Sequence, residues 1–288
     1  YEYWYYYLNA TRQRNIPLLM VSAIFRKNSS FFKWYGGLYR GMLRQFTHLF
    51  VQNQESAQLL SGILPAERYS VAGDTRFDRV IDIAEKGEPI SLIEEFAGKT
   101  PVLIAGSSWP QDETILQKTM AATGEKLKLI VAPHEIHADH IGQLQQLFPG
   151  CLLYSQLSSG SRRATESNVL VIDNIGLLSR IYRYAHTCYI GGAFGTGLHN
   201  TLEAAVYGKP VIFGPDYSKF VEAQGLVQAG AAFSIADEAA CIVTVEKLIN
   251  DTVFYQQACE AALSFVYQHK GATGKIMAFI QEKRLLTS

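Results

Sequence analysis

Five short apolar runs that recur between residues 100 and 215 limit what this chain can fold into. They read PVLIAGS, LKLIVAPH, VLVIDN, HTCYIGG and KPVIFGP, and segments with helical spacing, such as 112–122 and 136–147, lie between them. Short runs rich in Val and Ile are typical of strands buried on both faces, and strands that alternate with helices form parallel sheets. We therefore predict an α/β fold with a parallel, doubly wound sheet in this part of the chain.

The first 84 residues carry fewer apolar runs. IPLLMVSA (16–23) and HLFVQN (48–53) predict buried strands, and YSVAGDTRFDRVI predicts a third strand that ends in a Gly-Asp turn. Residues 85–99 are charged and helical in pattern, which favours an interdomain linker. The prediction is a first domain over 1–84, a linker over 85–99 and a second domain over 100–288. We leave open a return of the last helix to the first domain.

Composition excludes several classes of protein. The 288 residues are 48% hydrophobic and 18% charged, which is typical of a globular chain, and the formal net charge of zero provides no electrostatic basis for nucleic-acid binding. The sequence holds no apolar run long enough to predict a membrane span. Its four cysteines lack the spacing of a metal site or disulfide framework, which favours a reducing compartment. Because the chain begins with Tyr inside an aromatic run, we expect a fragment.

The densest glycine pattern is YIGGAFGTGLHNTLEAAVYGKPVIFG (189–214), which predicts a strand, a glycine loop, a helix and a second strand. Backbone N–H groups at Gly195, Gly197 and the helix start would suit an anion, because a helix N-terminus has unsatisfied donors and partial positive charge. A tight turn that needs positive φ is the alternative. Glu203 would lie about one turn into the helix, where a carboxylate can accept hydrogen bonds from two sugar hydroxyls.

Polar residues follow the ends of several apolar runs. Because the carboxyl ends of parallel strands meet at one edge of a sheet, we expect these residues to line one crevice. A single polar residue in such a place often only caps a helix, and His199 with Asn200 could be such a cap, but several in register favour a ligand site. They are Ser107 and Ser108, His134 and Glu135, Asp173 and Asn174, and residues 191–200.

Six motifs together resemble one enzyme family. They are VAGDTRFD, LIAGSSWPQDE, VAPHEI, DNIGLLSRIYRYA, GGAFGTGLHNTLEAAVYGKPVIFGP and KFVEAQGLVQAGAA, in order along nearly the whole chain. The chain is similar to the 3-deoxy-D-manno-octulosonic acid (Kdo) transferases, which act in lipopolysaccharide synthesis. The resemblance implies the GT-B arrangement of two Rossmann-like domains, with the N-terminal one incomplete in this chain. In this family the N-terminal domain binds lipid A and the C-terminal domain binds CMP-Kdo.

The resemblance also implies site residues. YEYW and VSAIFR resemble the family's acidic motif and Asn/Ser-Ala strand, which puts Glu2, Ser22 and Arg26 on the acceptor side. The family's general base is a Glu that would precede Tyr1, so no catalytic residue is assigned. On the donor side the implied residues are Ser107, Ser108, His134, Glu135, Ile175, Gly176, Leu177, Gly192, Gly195, Gly197, His199, Asn200, Glu203 and Lys219.

Two loops depart from the family pattern. Where many members carry Arg-His-Pro, this chain has His134-Glu135-Ile136, and where many read Asp-Thr-Met-Gly-Glu-Leu it has DNIGLL at 173–178. Contacts from the backbone of residues 175–177 to the cytidine would be affected least by these changes, because they do not depend on the side chains. Lys219 could face the phosphate or lie in a solvated loop.

The implied reaction is a single inverting transfer of Kdo from CMP-Kdo to a lipid A precursor, with no metal and no cofactor, at the cytoplasmic face of the bacterial inner membrane. Two alternatives remain open. Another GT-B enzyme, a UDP-sugar transferase or epimerase, would use the same glycine loop and helix Glu on a different nucleotide. A noncatalytic nucleotide-binding domain would suit the zero net charge and the unassigned base.

Two further clusters have two interpretations each. His137, Asp139 and His140 resemble a metal cluster, but on a polar helix face we expect them to be exposed. An aromatic stripe interleaved with basic residues is either ordinary core or a peripheral surface attracted to anionic lipid. It consists of Phe31, Phe32, Trp34, Tyr35, Tyr39 and Phe46, with Lys33, Arg40 and Arg44 between them.

Overall fold

The computed structural model describes residues 4–286, so the predicted acceptor-side Glu2 lies outside the described residues. Ten strands and fourteen α-helices are assigned within that range. The strands are β1 (Leu19–Ala23), β2 (His48–Val51), β3 (Tyr69–Val71), β4 (Val102–Ser108), β5 (Lys128–Pro133), β6 (Leu152–Leu153), β7 (Val169–Val171), β8 (Thr187–Ile190), β9 (Val211–Phe213) and β10 (Ala232–Ser234). The helices are α1 (Tyr5–Gln13), α2 (Gly37–Leu43), α3 (Gln54–Ser61), α4 (Thr75–Lys86), α5 (Ser91–Ala97), α6 (Pro110–Thr123), α7 (Ala138–Leu147), α8 (Tyr154–Ser158), α9 (Leu178–Ile181), α10 (Leu202–Ala205), α11 (Val221–Gln228), α12 (Glu238–Asn250), α13 (Thr252–Gln268) and α14 (Ala272–Glu282).

The described residues form two compact units, one of residues 4–79 with 269–286 and one of Val80–Gln268. The predicted linker interval contains the end of α4 and all of α5, where Ile93 and Phe96 are fully buried. The assignment of an acceptor domain to 1–84, a linker to 85–99 and a donor domain to 100–288 stays a prediction. None of the helices within residues 4–286 is long and apolar enough to cross a bilayer.

The first unit is built on three parallel strands in the order β1-β2-β3. Apolar residues from α1, α2 and α3 pack on this sheet, and Leu43, Leu49 and Leu60 are fully buried among them. The last helix, α14, contributes Ile276 to a smaller cluster with Phe50 and Ala72. Asp78 accepts hydrogen bonds from Gly271 N and Thr273 N, both at 2.6 Å, and so caps the start of α14.

The aromatic stripe divides between core and surface. Phe31 and Phe32 pack against the buried cluster of the first unit and Phe46 is itself buried, whereas Trp34 is 91% exposed and Tyr35 is 56% exposed. Arg40 has a structural role, because its guanidinium donates to the carbonyls of Phe31 and Lys33 at 3.1 and 2.9 Å. Each interpretation of the stripe therefore fits only part of it.

The second unit confirms the predicted parallel sheet. Its seven strands run parallel in the order β10-β9-β8-β4-β5-β7-β6, and Ile104 of β4 pairs with Ile130 of β5 and Cys188 of β8. The buried apolar runs explain the sheet, because strands covered on both faces need no polar alternation. The chain moves to one side of β4 through β5 and to the other through β8. In an open α/β sheet this switch point leaves a crevice at the carboxyl ends of the strands, where ligands commonly bind.

Candidate functional site

The glycine turn after β8 packs directly on the end of β4. A Cβ added at Gly191 would lie 2.3 Å from the Ser107 carbonyl oxygen and 2.7 Å from Ser108 Cα. Gly191 N also donates to Gly106 O at 3.0 Å. Only glycine permits this close approach of two backbones, so the two strand ends form one surface at the switch point.

The glycine loop then folds back on itself. Gly192 has φ +92°, and a Cβ on it would lie 2.2 Å from Gly197 O. Gly197 N donates to Gly192 O at 2.7 Å and His199 N donates to Gly191 O at 3.3 Å. The Gly197 N–H that the sequence suggested for an anion is therefore used inside the loop, whereas Gly195, with φ +126°, is exposed at its tip.

A buried carboxylate connects three elements of the crevice. Asp112, in the first turn of α6, accepts hydrogen bonds from Gly192 N and Trp109 N at 3.0 Å each, and from the Tyr189 hydroxyl at 2.8 Å. It is only 1% exposed. Burial, with the Asp112 carboxylate next to it, raises the pKa of Tyr189 well above its ordinary value, so the hydroxyl stays protonated and donates. Asp112 thus fixes the glycine turn against the loop between β4 and α6.

Three aromatic rings from separate loops lie against one another at the crevice. The Trp109 and His134 rings lie 4.7 Å apart and the His134 and His199 rings 4.6 Å apart, measured between centroids. Trp109 Nε1 lies 3.3 Å from His199 Nε2 and donates to it. Burial is the main cause that lowers the pKa of His199, and His134 lowers it further against an opposing effect of Asp112. The lowered pKa favours the neutral form of His199 at pH 7.

A chain of buried polar groups lies beneath the strand ends. The hydroxyl of Ser108, fully buried, donates to Glu113 Oε1 at 2.9 Å, and Glu113 Oε2 lies 3.0 Å from His140 Nε2. The expected exposure of His140 is therefore wrong, because α7 turns this side chain inward against Glu113. His137 and Asp139 are exposed. Within residues 4–286 no three His, Cys, Asp or Glu side chains are grouped to hold a metal ion.

Ser107 differs from its neighbour. Its backbone has φ +53°, in the left-handed region, where strain of about 1–3 kcal/mol is typical for residues other than glycine. The β4–β5 register shifts between Gly106 and Ser108, which accommodates this conformation. Of the two serines predicted on the donor side, Ser107 is the one with solvent access.

Asn200 orients the carboxylate of Glu203. Its Nδ2 donates to Glu203 Oε1 at 3.0 Å, while its Oδ1 accepts from Leu202 N at 3.2 Å. The helix that follows, α10, has only four residues, so Glu203 lies in its first turn and the helix end provides fewer free donors than a long helix would.

The other predicted residues lie on separate loops. Ile175 is 87% exposed in the loop after β7, where Gly176 has φ +95° and Leu177 precedes α9. Glu135 and Lys219 are exposed. Ser22 and Arg26, the two described residues that were predicted on the acceptor side, belong to the first unit. Ser22 has φ +54° and accepts from Thr75 N at 3.0 Å, and Arg26 is exposed.

Sequence reasoning missed Trp109, Asp112 and Tyr189. One signal was present, because Pro110 followed two residues later by Asp112 is typical of a helix start whose acidic side chain accepts from a backbone N–H. Nothing in the sequence indicated that the same carboxylate also holds Gly192 and Tyr189, which are distant along the chain.

Comparisons with known proteins agree on the family. The model of the 3-deoxy-D-manno-octulosonic-acid transferase (kdotransferase) family matches residues 1–79. The Kdo transferase of Bordetella pertussis is 28% identical over 98% of this chain and 67% of that protein, and that of Rickettsia bellii is 26% identical over 91% and 63%. The chain thus spans roughly two thirds or less of these relatives' length.

Solved structures share the fold. The C-terminal CMP-Kdo binding domain of WaaA from Acinetobacter baumannii aligns with TM-score 0.54 and 20% identity, over 66% of this chain and 98% of that one. A putative UDP-N-acetylglucosamine 2-epimerase from Listeria monocytogenes aligns with TM-score 0.66 and 14% identity, over 98% and 72%. The fold class is therefore α/β of the GT-B type, with two Rossmann-like units. Within that class, the chain is similar to Kdo transferases, through a family model that matches its first 79 residues and through relatives that align over most of its length.

Proposed function

We propose that this protein transfers Kdo from CMP-Kdo to a lipid A precursor, lipid IVA, in lipopolysaccharide core biosynthesis. One observation carries the proposal: the glycine turn, the three aromatic rings and the Asn200–Glu203 pair all follow the strands that meet at the switch point of the second unit. The similarity to Kdo transferases supports Kdo as the sugar. The likeness to a CMP-Kdo binding domain supports the donor.

The residues suit a metal-independent, inverting displacement. As CMP departs, negative charge builds on its phosphate while the sugar becomes oxocarbenium-like, so fixed hydrogen-bond donors near the phosphate favour the transition state. Ser107, His134 and the exposed end of the glycine loop offer such donors. Glu203, held by Asn200, would accept hydrogen bonds from the ribose hydroxyls. Removal of the acceptor proton is assigned to no residue of the described chain.

A second candidate has its own support. A putative UDP-N-acetylglucosamine 2-epimerase aligns over 98% of this chain, so a UDP-sugar enzyme of the same fold is the alternative. Calorimetric titration with CMP, UMP and UDP separates the two, because the proposed function requires CMP to bind most tightly. Transfer of Kdo to lipid IVA in the presence of EDTA, by the chain with any preceding residues restored, is the direct assay. Tighter binding of UDP, or transfer that needs Mg²⁺, contradicts the proposal.

In the same titrations, Glu203→Gln is expected to weaken CMP binding. The substitution replaces a charged acceptor by a neutral one, and a hydrogen bond to a charged group contributes about 1.5–3 kcal/mol, or at least roughly tenfold in Kd. Glu246→Gln, at an exposed position of α12, is the matched control and should bind CMP normally. Unchanged affinity in Glu203→Gln would remove this residue from the nucleotide site.

We further propose peripheral attachment to an anionic membrane, at the cytoplasmic face of the inner membrane, through the exposed part of the aromatic stripe. Trp34, Tyr35 and Leu38 are 91%, 56% and 61% exposed; Lys33 directly precedes Trp34, and Arg44 is an exposed residue directly after α2. Aromatic and basic side chains together favour the interface of anionic bilayers. Arg40 is left out of the variants below because it holds two carbonyls.

Replacing Lys33 and Arg44 with Gln should lower binding to phosphatidylserine liposomes about thirtyfold, because each of these two basic residues contributes about 1 kcal/mol near an anionic surface. Sedimentation with liposomes measures this. The control, Lys99→Gln with Lys126→Gln, removes two exposed charges from the other unit and should leave liposome binding unchanged. If both pairs behave alike, the membrane surface is not the aromatic stripe.

A further inference from the structure

The contact between Trp109 and His199 restricts where the imidazole carries its proton. An indole nitrogen only donates, so His199 Nε2, 3.3 Å from Trp109 Nε1, must accept. A neutral imidazole with an accepting Nε2 carries its hydrogen on Nδ1. Within the described residues, His199 Nδ1 makes no hydrogen bond to the protein, and it is not buried. It is therefore open to a ligand as a donor.

We propose that Trp109 is a positioning residue that holds His199 in its Nδ1–H tautomer, so that His199 donates to an anionic group of the nucleotide-sugar donor. This inference rests on the proposed function for the identity of the ligand. It assigns Trp109 a role that is separate from ordinary packing, because a phenyl ring of similar shape would pack there but could not donate.

The surroundings hold the indole in place. The Trp109 backbone N–H donates to Asp112 Oδ2, the same oxygen that accepts from Gly192 N, so the loop that carries the indole is tied to the glycine turn. The Trp109 ring stacks on His134 at 4.7 Å, and His134 faces His199 at 4.6 Å. His199 Cδ2, which is bonded to the accepting Nε2, lies against Gly192, where an added Cβ would come within 3.1 Å. A ring turned over about its Cβ–Cγ bond would place Cε1, which cannot accept, where Nε2 now accepts from the indole, so the hydrogen bond from Trp109 favours the observed orientation.

A fixed neutral tautomer suits an anion site at neutral pH. The ionisable groups that affect His199 are His134 and Asp112, and with burial they leave the pKa of His199 below its ordinary value. Nδ1 then offers its hydrogen to an anion without protonation of the ring. Without the indole donor, only a minority of molecules, about one fifth, would carry the hydrogen on His199 Nδ1. The apparent Kd for CMP would then rise by the reciprocal of that fraction, about fivefold.

Imidazole ¹⁵N NMR on the unaltered, ligand-free protein is the first test. We expect His199, identified by the signals that disappear in His199→Gln, to show a protonated Nδ1 and an unprotonated Nε2. Trp109→Phe keeps a ring but removes the N–H, so its His199 should move toward the Nε2–H tautomer that imidazole prefers in water. CMP affinity measured by calorimetry should fall about fivefold in the same variant. Trp4→Phe, the same substitution at a side chain that is 59% exposed in the first unit, should change neither.

Three results overturn the inference. The first is a proton on Nε2 in the unaltered protein, which requires no variant to fold. The second is an unchanged tautomer in Trp109→Phe, and the third is a changed tautomer with unchanged CMP affinity. If the unaltered protein does not bind CMP, that result contradicts the proposed function and not the role of Trp109. The NMR measurement of the His199 tautomer alone then tests the role of Trp109.

Discussion

Gly192→Ala is expected to lower the free energy of unfolding by about 3 kcal/mol or more, because left-handed backbone strain adds to overpacking of about 1–3 kcal/mol. Gly192 has φ +92°, and its new Cβ would lie 2.2 Å from the carbonyl oxygen of Gly197, a backbone atom that cannot rotate away. Urea unfolding measures the loss. We also expect weaker CMP binding, since the loop that closes through Gly197 N and Gly192 O must open to relieve the clash.

Gly195→Ala is the matched control. It lies in the same loop with φ +126°, but a Cβ there meets no atom within 4 Å. This variant should therefore lose only the strain of an L-residue at positive φ, about 1–2 kcal/mol. The difference between the two variants isolates the steric cost of closing the loop. Equal losses would mean that the loop does not fold back in solution as it does in the structure.

Asp112→Ala is expected to cost about 3–5 kcal/mol, because a buried donor without a partner costs about 1–3 kcal/mol and this change strands three. The three are Trp109 N, Gly192 N and the Tyr189 hydroxyl. The loss is measurable by urea unfolding. Because the carboxylate holds the glycine turn and the loop of Trp109 together, CMP affinity should also fall.

Asp112→Asn separates hydrogen bonding from charge. An Asn can keep its oxygen toward the two backbone N–H groups and turn its amide toward Tyr189, whose hydroxyl then rotates to accept. This variant should lose only about 1 kcal/mol, near the net value of one ordinary hydrogen bond. If Asn and Ala are equally destabilising, the negative charge of Asp112, rather than its three donors, is what stabilises the crevice.

Both units hold a strained serine at comparable points. Ser22 and Ser107 have φ +54° and +53°, and each lies where a strand changes register with its neighbour, between Met20 and Ala23 in β1 and between Gly106 and Ser108 in β4. Left-handed conformations of non-glycine residues cost about 1–3 kcal/mol and concentrate at functional sites. The resemblance had implied Ser22 for the acceptor side and Ser107 for the donor side. In each sheet, the serine has a left-handed backbone conformation at a shift in strand register.

The elements of the fold were predictable because buried strands require runs of apolar residues that are visible in the local sequence. Apolar runs such as LKLIVAPH and VLVIDN predicted β5 and β7, and the structure confirms them as neighbours in a parallel sheet. The glycine turn after β8 was predictable for a similar reason, since backbone geometry at Gly192 constrains which residue can stand there. The resemblance to family motifs added the order of the loops and the expected ligand. The periodicity of apolar residues predicts neither of them.

What the sequence determined by itself is therefore local: which segments are strands, where they end, and which polar residues follow them. Tertiary structure alone decided how those polar residues pair. It showed that the Ser108 hydroxyl is used by Glu113, that His140 is buried and that Arg40 holds two carbonyls. Asp112 meets Tyr189 across 77 positions and Trp109 meets His199 across 90. A hydrogen bond between residues so far apart depends on strand order and helix packing, which impose no pattern on the residues next to either partner.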